Sequence, residues 1–271
     1  MNQKLDNIKM IFLDIDGTLY NSKKKITEYT KSILKKLKEK GIHAVLCSGR
    51  TNISACNLSK EINASKYIIV DNGAFVYDYE ENRVIFESIL DFKIIKYFWD
   101  YCEKENIQIL FNCKDRRYLN KIAADEEDAE KKEVKDIEEM KNIKVFQLVL
   151  DTRFETVNEI KTLLENENTI WAANYGKTTN GNAYFFDINN KGIDKGIGIK
   201  NLIENLGIKK EETICFGDGV NDYSMFKQCG VSVAMGNAKE ELKKTADYTT
   251  LTNDEDGVAK FIEKYILDEK G

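Results

Sequence analysis

Short apolar runs alternating with segments of helical period constrain this chain most. Ile8-Lys9-Met10-Ile11-Phe12-Leu13, Ile42 to Cys47 and Tyr67-Ile68-Ile69-Val70 each read as a buried strand. Between the first two, Ile26, Ile33, Leu34 and Leu37 recur at near-helical spacing. Thr27 is placed to cap that helix, Lys38 and Lys40 fall in its last turn, and Gly41 stops it. A second helix is expected from Thr51. Strands alternating with helices in this way imply parallel β-α-β units and a sheet covered by helices.

After Asn72-Gly73 the rhythm changes. Ala74–Tyr79 and Arg83–Phe86 flank Glu80-Glu81-Asn82 and read as a hairpin. From 87 to 190, helices are expected at 91–105, 125–140 and 153–165, and strands at 107–111, 143–150 and 183–188. The first pattern resumes after Asn189-Asn190-Lys191-Gly192. It gives a helix near 194–206, a strand at Thr213–Phe216, a helix from about 221, a strand at Val231–Ala234 and a closing helix at 254–268. The expectation is an α/β core of residues 1–86 and 191–271, interrupted by an inserted α+β domain at 87–190. A length of 271 residues suits two domains.

Composition narrows the function. With 42% hydrophobic and 32% charged residues, a wholly disordered chain is excluded. The longest apolar runs are about four residues, too short for a bilayer-spanning helix. The start, Met-Asn-Gln-Lys-Leu-Asp, lacks the apolar stretch of a secretory signal, so the expected location is the cytoplasm. Net charge is −5, from 41 basic and 46 acidic residues, which excludes a general pull toward nucleic acid or anionic lipid. Six scattered cysteines without a C-x-x-C pair suit reduced, buried thiols. The only histidine, His43, opens an apolar run and is expected at a strand edge. Serine–histidine and zinc–histidine chemistry therefore lack their usual residue. The acidic run 125–139 reads as a solvated helix face and not a metal site.

Four clusters remain, three of them directly past an expected strand, where ligands bind in open parallel sheets. Asp14-Ile15-Asp16-Gly17-Thr18 sets two carboxylates beside a glycine turn. Such a pair could hold a hard cation and do covalent work, or be an ordinary turn. Ser48-Gly49-Arg50 offers a hydroxyl, amides and a guanidinium to an anion, or simply caps a helix. Lys195 opens a helix, where its charge opposes the dipole unless something anionic compensates. Gly217-Asp218-Gly219-Val220-Asn221-Asp222 places two more carboxylates in a glycine-rich turn. Together they describe one site in which carboxylates from two strand ends hold a divalent cation, with Mg2+ the expected ion. A hydroxyl, amides and a lysine would stand around it and neutralise phosphoryl charge in flight.

In these motifs the sequence resembles the haloacid dehalogenase (HAD) superfamily of phosphatases, and within it the Cof-like, type IIB sugar-phosphatase group. Asp-x-Asp-Gly-Thr at 14–18, Ser-Gly-Arg at 48–50, Asn-Gly-Ala at 72–74, Lys-Gly at 195–196 and Gly-Asp-x-x-Asn-Asp at 217–222 carry the resemblance across nearly the whole chain. It implies a Rossmann-like core with a parallel sheet and an inserted α/β cap of the C2 type. It implies Asp14 as a nucleophile forming an aspartyl-phosphate and Asp16 as general acid and base. Ser48, Gly49, Arg50 and Asn221 would bind the phosphorylated substrate, and Lys195 would screen Asp14 and the phosphoryl group. Asp14, the Asp16 carbonyl and Asp218 would hold Mg2+, with Asp222 behind them. The expected activity is hydrolysis of small phosphorylated metabolites. A phosphosugar mutase and a non-catalytic phosphometabolite-binding protein are the rival readings. The cap positions Arg116, Arg117, Trp171 and Tyr175 could face substrate, although the adjacent arginines read more readily as surface.

Overall fold

The computed structural model describes residues 5, 7–121, 130–152, 154–177 and 184–267. The apolar runs become strands: β1 (Met10–Leu13), β2 (His43–Cys47), β3 (Tyr67–Val70), then the hairpin β4 (Phe75–Asp78) and β5 (Arg83–Glu87). His43 opens β2, as expected of a strand edge. A second set follows: β6 (Gln108–Asn112), β7 (Arg117–Leu119), β8 (Lys131–Glu133), β9 (Gln147–Thr152), β10 (Ile170–Lys177) and β11 (Tyr184–Asn190). The chain then returns through β12 (Thr213–Gly217), β13 (Val231–Ala234) and β14 (Tyr248–Thr249). The helices are α1 (Glu28–Glu39), α2 (Asn52–Glu61), α3 (Phe92–Glu105), α4 (Val157–Asn166), α5 (Lys195–Leu206), α6 (Tyr223–Gln228), α7 (Glu240–Lys243) and α8 (Gly257–Ile262).

Two sheets result. The larger has the order β14-β13-β12-β1-β2-β3-β4-β5, parallel from β14 to β3 and antiparallel through the hairpin. The smaller runs β10-β11-β9-β6-β7-β8 and is antiparallel except for β7 with β8. One face of the smaller sheet carries α3 and α4 on an apolar cluster that includes Phe98, Phe111 and Phe186. The two crossings between the sheets lie side by side, because the Asn190 amide donates to Ser88 Oγ and to the Ile89 carbonyl, each at 2.9 Å. In the larger sheet, β1 lies between β2 and β12, so the strand order reverses there. The ends of β1 and β12 therefore open the crevice in which such sheets bind ligands.

Several elements differ from the sequence expectation. The first part of the helix expected at 125–140, residues 125–129, lies outside the described residues. Its described remainder is the edge strand β8 and a 3-10 turn at Ile137–Met140, closed by reciprocal hydrogen bonding of Asp136 and Glu139. A run with so many like charges gains nothing from helical stacking of its side chains. Strands β7, β10 and β14 were not expected. In β10 the register slips between Ala172 and Asn174, which breaks the alternation that would betray a strand. The closing helix is shorter than expected, with a 3-10 turn at Asn253–Glu255, α8, and a wide turn over Glu263–Leu267.

Gly73 ties this scaffold to the chemistry. It sits at φ +94, and a Cβ there would lie 1.9 Å from the Asp194 carbonyl oxygen. Only a glycine lets the loop after β3 lie against the start of α5, which carries Lys195. Gly73→Ala is expected to lower unfolding stability by about 2 kcal/mol or more. Urea denaturation measures this, and a loss within ~0.5 kcal/mol would show that the close approach is not required.

Candidate active site

Asp14 follows β1 directly and continues its ladder, with its N–H donating to the Phe216 carbonyl at 3.2 Å. Its side chain meets Lys195, which is 0% exposed. Lys195 Nζ lies 2.6 Å from Asp14 Oδ1 and 2.7 Å from Asp222 Oδ1. The other oxygen of Asp222 accepts the backbone N–H groups of Asp218 and Gly219, each at 2.9 Å, which fixes the turn after β12. Asp218 is held from the other side by the Thr18 hydroxyl, donating at 3.1 Å. Gly17, at φ +86, lets the two turns close, since a Cβ there would fall 2.2 Å from Asp218 Oδ2. Oxygens of Asp14, Asp218 and Asp222 lie within 4.8 Å of one another.

Three carboxylates thus cluster beside one ammonium, which pairs with two of them, leaving formal negative charge in a buried place. Burial, reinforced by Asp222 and Asp218, raises the Asp14 carboxyl to about 8 against the pull of Lys195. Burial and Asp222 likewise raise Asp218 to about 6. Burial pulls Lys195 down, but Asp14 and Asp222 outweigh it and hold the ammonium above its ordinary range. An oxygen-only donor set with surplus negative charge suits a hard divalent cation. The described residues therefore fit a metal centre.

The remaining candidates form two further groups. Asp16 points away from the cluster into a two-pronged ion pair with Arg50, Nε to Oδ2 at 2.8 Å and Nη2 to Oδ1 at 2.7 Å. Its side chain is 58% exposed. The Arg50 guanidinium also lies 4.8 Å from the centroid of the Tyr20 ring. Ser48 is buried, and its Oγ accepts the Arg50 N–H at 3.2 Å. Gly49 lies so close to Asn72 that a Cβ would come within 2.8 Å of Nδ2. Asn221 donates from Nδ2 to Asn72 Oδ1 at 3.2 Å, and Asn72 donates to Asp187 Oδ2 at 3.0 Å. Asn72 therefore joins the Ser48 loop, the Asn221 loop and β11. It stands in the Asn-Gly-Ala motif at 72–74 and follows a strand end as three of the four clusters do; these two signals carried no site role when read from sequence alone.

The other expectations fall into place around this geometry. All six cysteines are buried and unpaired, and burial raises the Cys47 thiol well above its ordinary value beside Lys195. Arg116 is exposed, while Arg117 donates from Nε to Asn112 Oδ1 at 2.8 Å. Among the described residues, no helix is long and apolar enough to cross a membrane.

Residues 11–262 match the haloacid dehalogenase-like hydrolase family. The chain belongs to that family. This hydrolase is 31% identical to the 5-amino-6-(5-phospho-D-ribitylamino)uracil phosphatase YcsE of Bacillus subtilis, over 96% of this chain and 97% of that one. It is 32% identical to the putative phosphatase YkrA of the same organism, over 93% and 95%. A haloacid dehalogenase-like hydrolase from Bacteroides thetaiotaomicron superposes with TM-score 0.84 at 31% identity, over 95% of this chain and 99% of that one. The HAD subclass IIB sugar phosphatase BT4131 superposes with TM-score 0.76 at 30% identity, over 95% and 98%. The protein is thus a HAD-type phosphatase with the α/β core and inserted cap of those relatives.

The raised carboxyls make stability depend on pH in a definite sense. A carboxyl whose pKa is higher folded than unfolded binds more protons in the folded chain, so stability falls as pH rises between the two values. With Asp14 near 8, Asp71 near 7 and Asp218 near 6, the cation-free protein is expected to melt at lower temperature as pH rises from about 5 to about 8. Added Mg2+ should raise the melting temperature more at pH 8 than at pH 5, because protons compete for the same oxygens. Scanning calorimetry in EDTA and in Mg2+ measures both; a melting temperature that climbs with pH in EDTA would contradict the assignment.

Proposed function

We propose that this hydrolase is a Mg2+-dependent phosphomonoesterase that works through an aspartyl-phosphate on Asp14, with residues 87–190 as its cap and 1–86 with 191–271 as its core. The convergence of Asp14, Asp218 and Asp222, two of them bound to the buried Lys195, carries this reading. Lys195 occupies Asp14 Oδ1, and Oδ2 takes no hydrogen bond from the described residues, which leaves it to attack phosphorus. The new bond joins Asp14 to the phosphoryl group, and the ester oxygen departs with its electron pair and takes a proton from Asp16. Water then attacks the same phosphorus, giving its proton to Asp16, and Asp14 leaves as a free carboxylate. For both steps Asp16 must turn from Arg50, which frees the guanidinium for the substrate.

Mg2+, held by Asp14, Asp218 and the Asp16 carbonyl, would supply positive charge to the phosphoryl oxygens. Lys195 adds a fixed charge on the nucleophile's side, Ser48 and Asn221 offer an O–H and an N–H to the phosphoryl oxygens, and Asp222 holds Lys195 and the turn in place. The two relatives named for a ribitylaminouracil phosphate and for sugar phosphates support a small phosphorylated polyhydroxy metabolite as substrate.

The test is turnover of p-nitrophenyl phosphate by wild type, Asp14→Asn and Asp16→Ala, each with Mg2+ and with EDTA. Asp14→Asn is expected to lose a factor of roughly 10³ or more in kcat, and EDTA to abolish wild-type turnover. Near wild-type activity in Asp14→Asn would exclude the covalent route.

A further inference from the structure

We propose that Asp187, on strand β11 of the cap, is a positioning residue for the reaction: acting through Asn72, it fixes which end of the Asn221 carboxamide faces the phosphoryl group. This rests on the phosphatase reading above and adds to it a group in the cap that prepares the phosphate contact in the core. Along Phe185-Phe186-Asp187-Ile188-Asn189, Phe186 and Ile188 are buried in the cap's own apolar cluster. Strand alternation turns Asp187 and Asn189 to the opposite face, where they meet the core loop at Asp71 and Asn72. Asn189 docks there with a neutral hydrogen bond to the Asp71 carbonyl. Asp187 is only 8% exposed, and a carboxylate buried at mid-strand costs free energy that a second carboxamide would not. Its charge therefore calls for a task beyond docking.

The path from Asp187 to the site is a chain of two carboxamides. Asn72 donates from Nδ2 to Asp187 Oδ2 at 3.0 Å, and Asn72 Oδ1 accepts from Asn221 Nδ2 at 3.2 Å. Asn72 is fully buried, and its backbone N–H donates to the Ser48 carbonyl at 3.1 Å. The backbone of Gly49 lies against the carboxamide, where a Cβ would come within 3.3 Å of its Nδ2, Oδ1 and Cγ. This packing holds the plane of the amide but not its direction, because the nitrogen and oxygen ends are nearly equal in size. The carboxylate decides the direction, since it only accepts. Burial raises the Asp187 carboxyl to about 6, against the hydrogen bonds of Asn72 and Asn174 and the charges of Arg117 and Lys195, which leaves it ionised at neutral pH. The nitrogen of Asn72 must then face Asp187, its oxygen must face Asn221, and the nitrogen of Asn221 must turn toward Asn72. The second N–H on that nitrogen is the one left for a phosphoryl oxygen. Turned the other way, Asn221 would present its own oxygen, which repels one.

The experiment measures turnover of p-nitrophenyl phosphate with Mg2+, together with inhibition by orthophosphate. Asp187→Asn lets Asn72 point either way. It is expected to lower kcat/KM about tenfold and to raise the orthophosphate inhibition constant by a similar factor, the order of one hydrogen bond to a charged group. In an Asn221→Ala background the same substitution should change neither, because no carboxamide remains to be turned. A residue that only docked the cap would lower activity equally in both backgrounds. Exchanging the pair, Asp187→Asn with Asn72→Asp, sets the acceptor between two carboxamides and should restore kcat/KM to within about threefold of the wild type. Side-chain amide spectra of isotope-labelled protein follow the chain without turnover. The Asn221 signal, identified by its loss in Asn221→Ala, should move in Asp187→Asn and return in the exchanged pair. A silent wild type whose Asn221 signal still follows residue 187 would sink the phosphatase reading and keep the positioning. An unmoved Asn221 signal, kcat/KM within about twofold of wild type in Asp187→Asn, or equal losses in both backgrounds would overturn the positioning role.

Discussion

An ammonium group shut away from water needs opposite charge packed around it, and in this protein that requirement falls on Lys195. Breaking a buried pair by removing one partner is strongly destabilising, on the order of 3–5 kcal/mol, so its two carboxylates are pinned as firmly as the lysine. One of them, Asp14, stands 181 residues earlier in the chain, and the other, Asp222, stands 27 residues later. A single side chain thereby locks the end of β1 to the turn after β12 and to the start of α5. The surplus negative charge that results is what a divalent cation would offset, and the same cation would make an anionic phosphoryl group tolerable beside the carboxylates.

The cap meets the core through a different kind of bond. Asn112 donates to Asp71 Oδ1 at 2.8 Å and to Gln147 Oε1 at 3.1 Å. Gln147 donates to Asn189 Oδ1 at 2.9 Å, and Asn189 returns to the Asp71 carbonyl at 2.8 Å. This closed ring of buried carboxamides leaves Asp71 Oδ2 without a partner, and burial raises its carboxyl to about 7. Apolar contact across the junction is slight by comparison: Phe146 stacks on Phe75 with centroids 4.4 Å apart, while the larger apolar clusters stay within each sheet's own layer. Directional hydrogen bonds fix the cap's register on the core. Without a large apolar interface, separating the two exposes little greasy surface, which suits a cap that admits substrate and closes over it.

How much of this was legible in the sequence follows from where each signal originates. Strands buried on both faces announce themselves as apolar runs, and the polar residues that end them mark the crevice, so Asp14, Ser48 and Asp218 could be found without coordinates. Lys195 could be suspected only from its awkward place at a helix start; its burial depends on Gly73 and on a turn far along the chain. Asn72 stood in the Asn-Gly-Ala motif without a role, and the Asp71 ring escaped, because a lone carboxamide gains meaning only from the groups it bridges. The acidic stretch past 125 misled because composition records charge but not which strand edge a segment can pair with. In β10 the slip beside Ala172 removed the alternation on which strand recognition rests.

Asp14 and Asp16 illustrate the same point at the smallest scale. They stand two residues apart on one turn, yet one is buried against Lys195 and the other lies exposed against Arg50. Hydrolysis by the proposed route needs two carboxylates with different tasks, one bonding to phosphorus and one passing a proton back and forth. Enzymes set such roles by giving chemically identical groups unlike surroundings. Here Asp14 directly follows the buried run of β1, while Asp16 stands directly before the turn at Gly17, whose φ is +86, and is exposed beside Arg50. The partner of Asp16 belongs to the Ser48 loop, whose carbonyl oxygen accepts the N–H of Asn72 at 3.1 Å. A substrate that draws Arg50 toward its phosphate would therefore release Asp16 at the same moment, coupling arrival of the phosphoryl group to freedom of the proton donor.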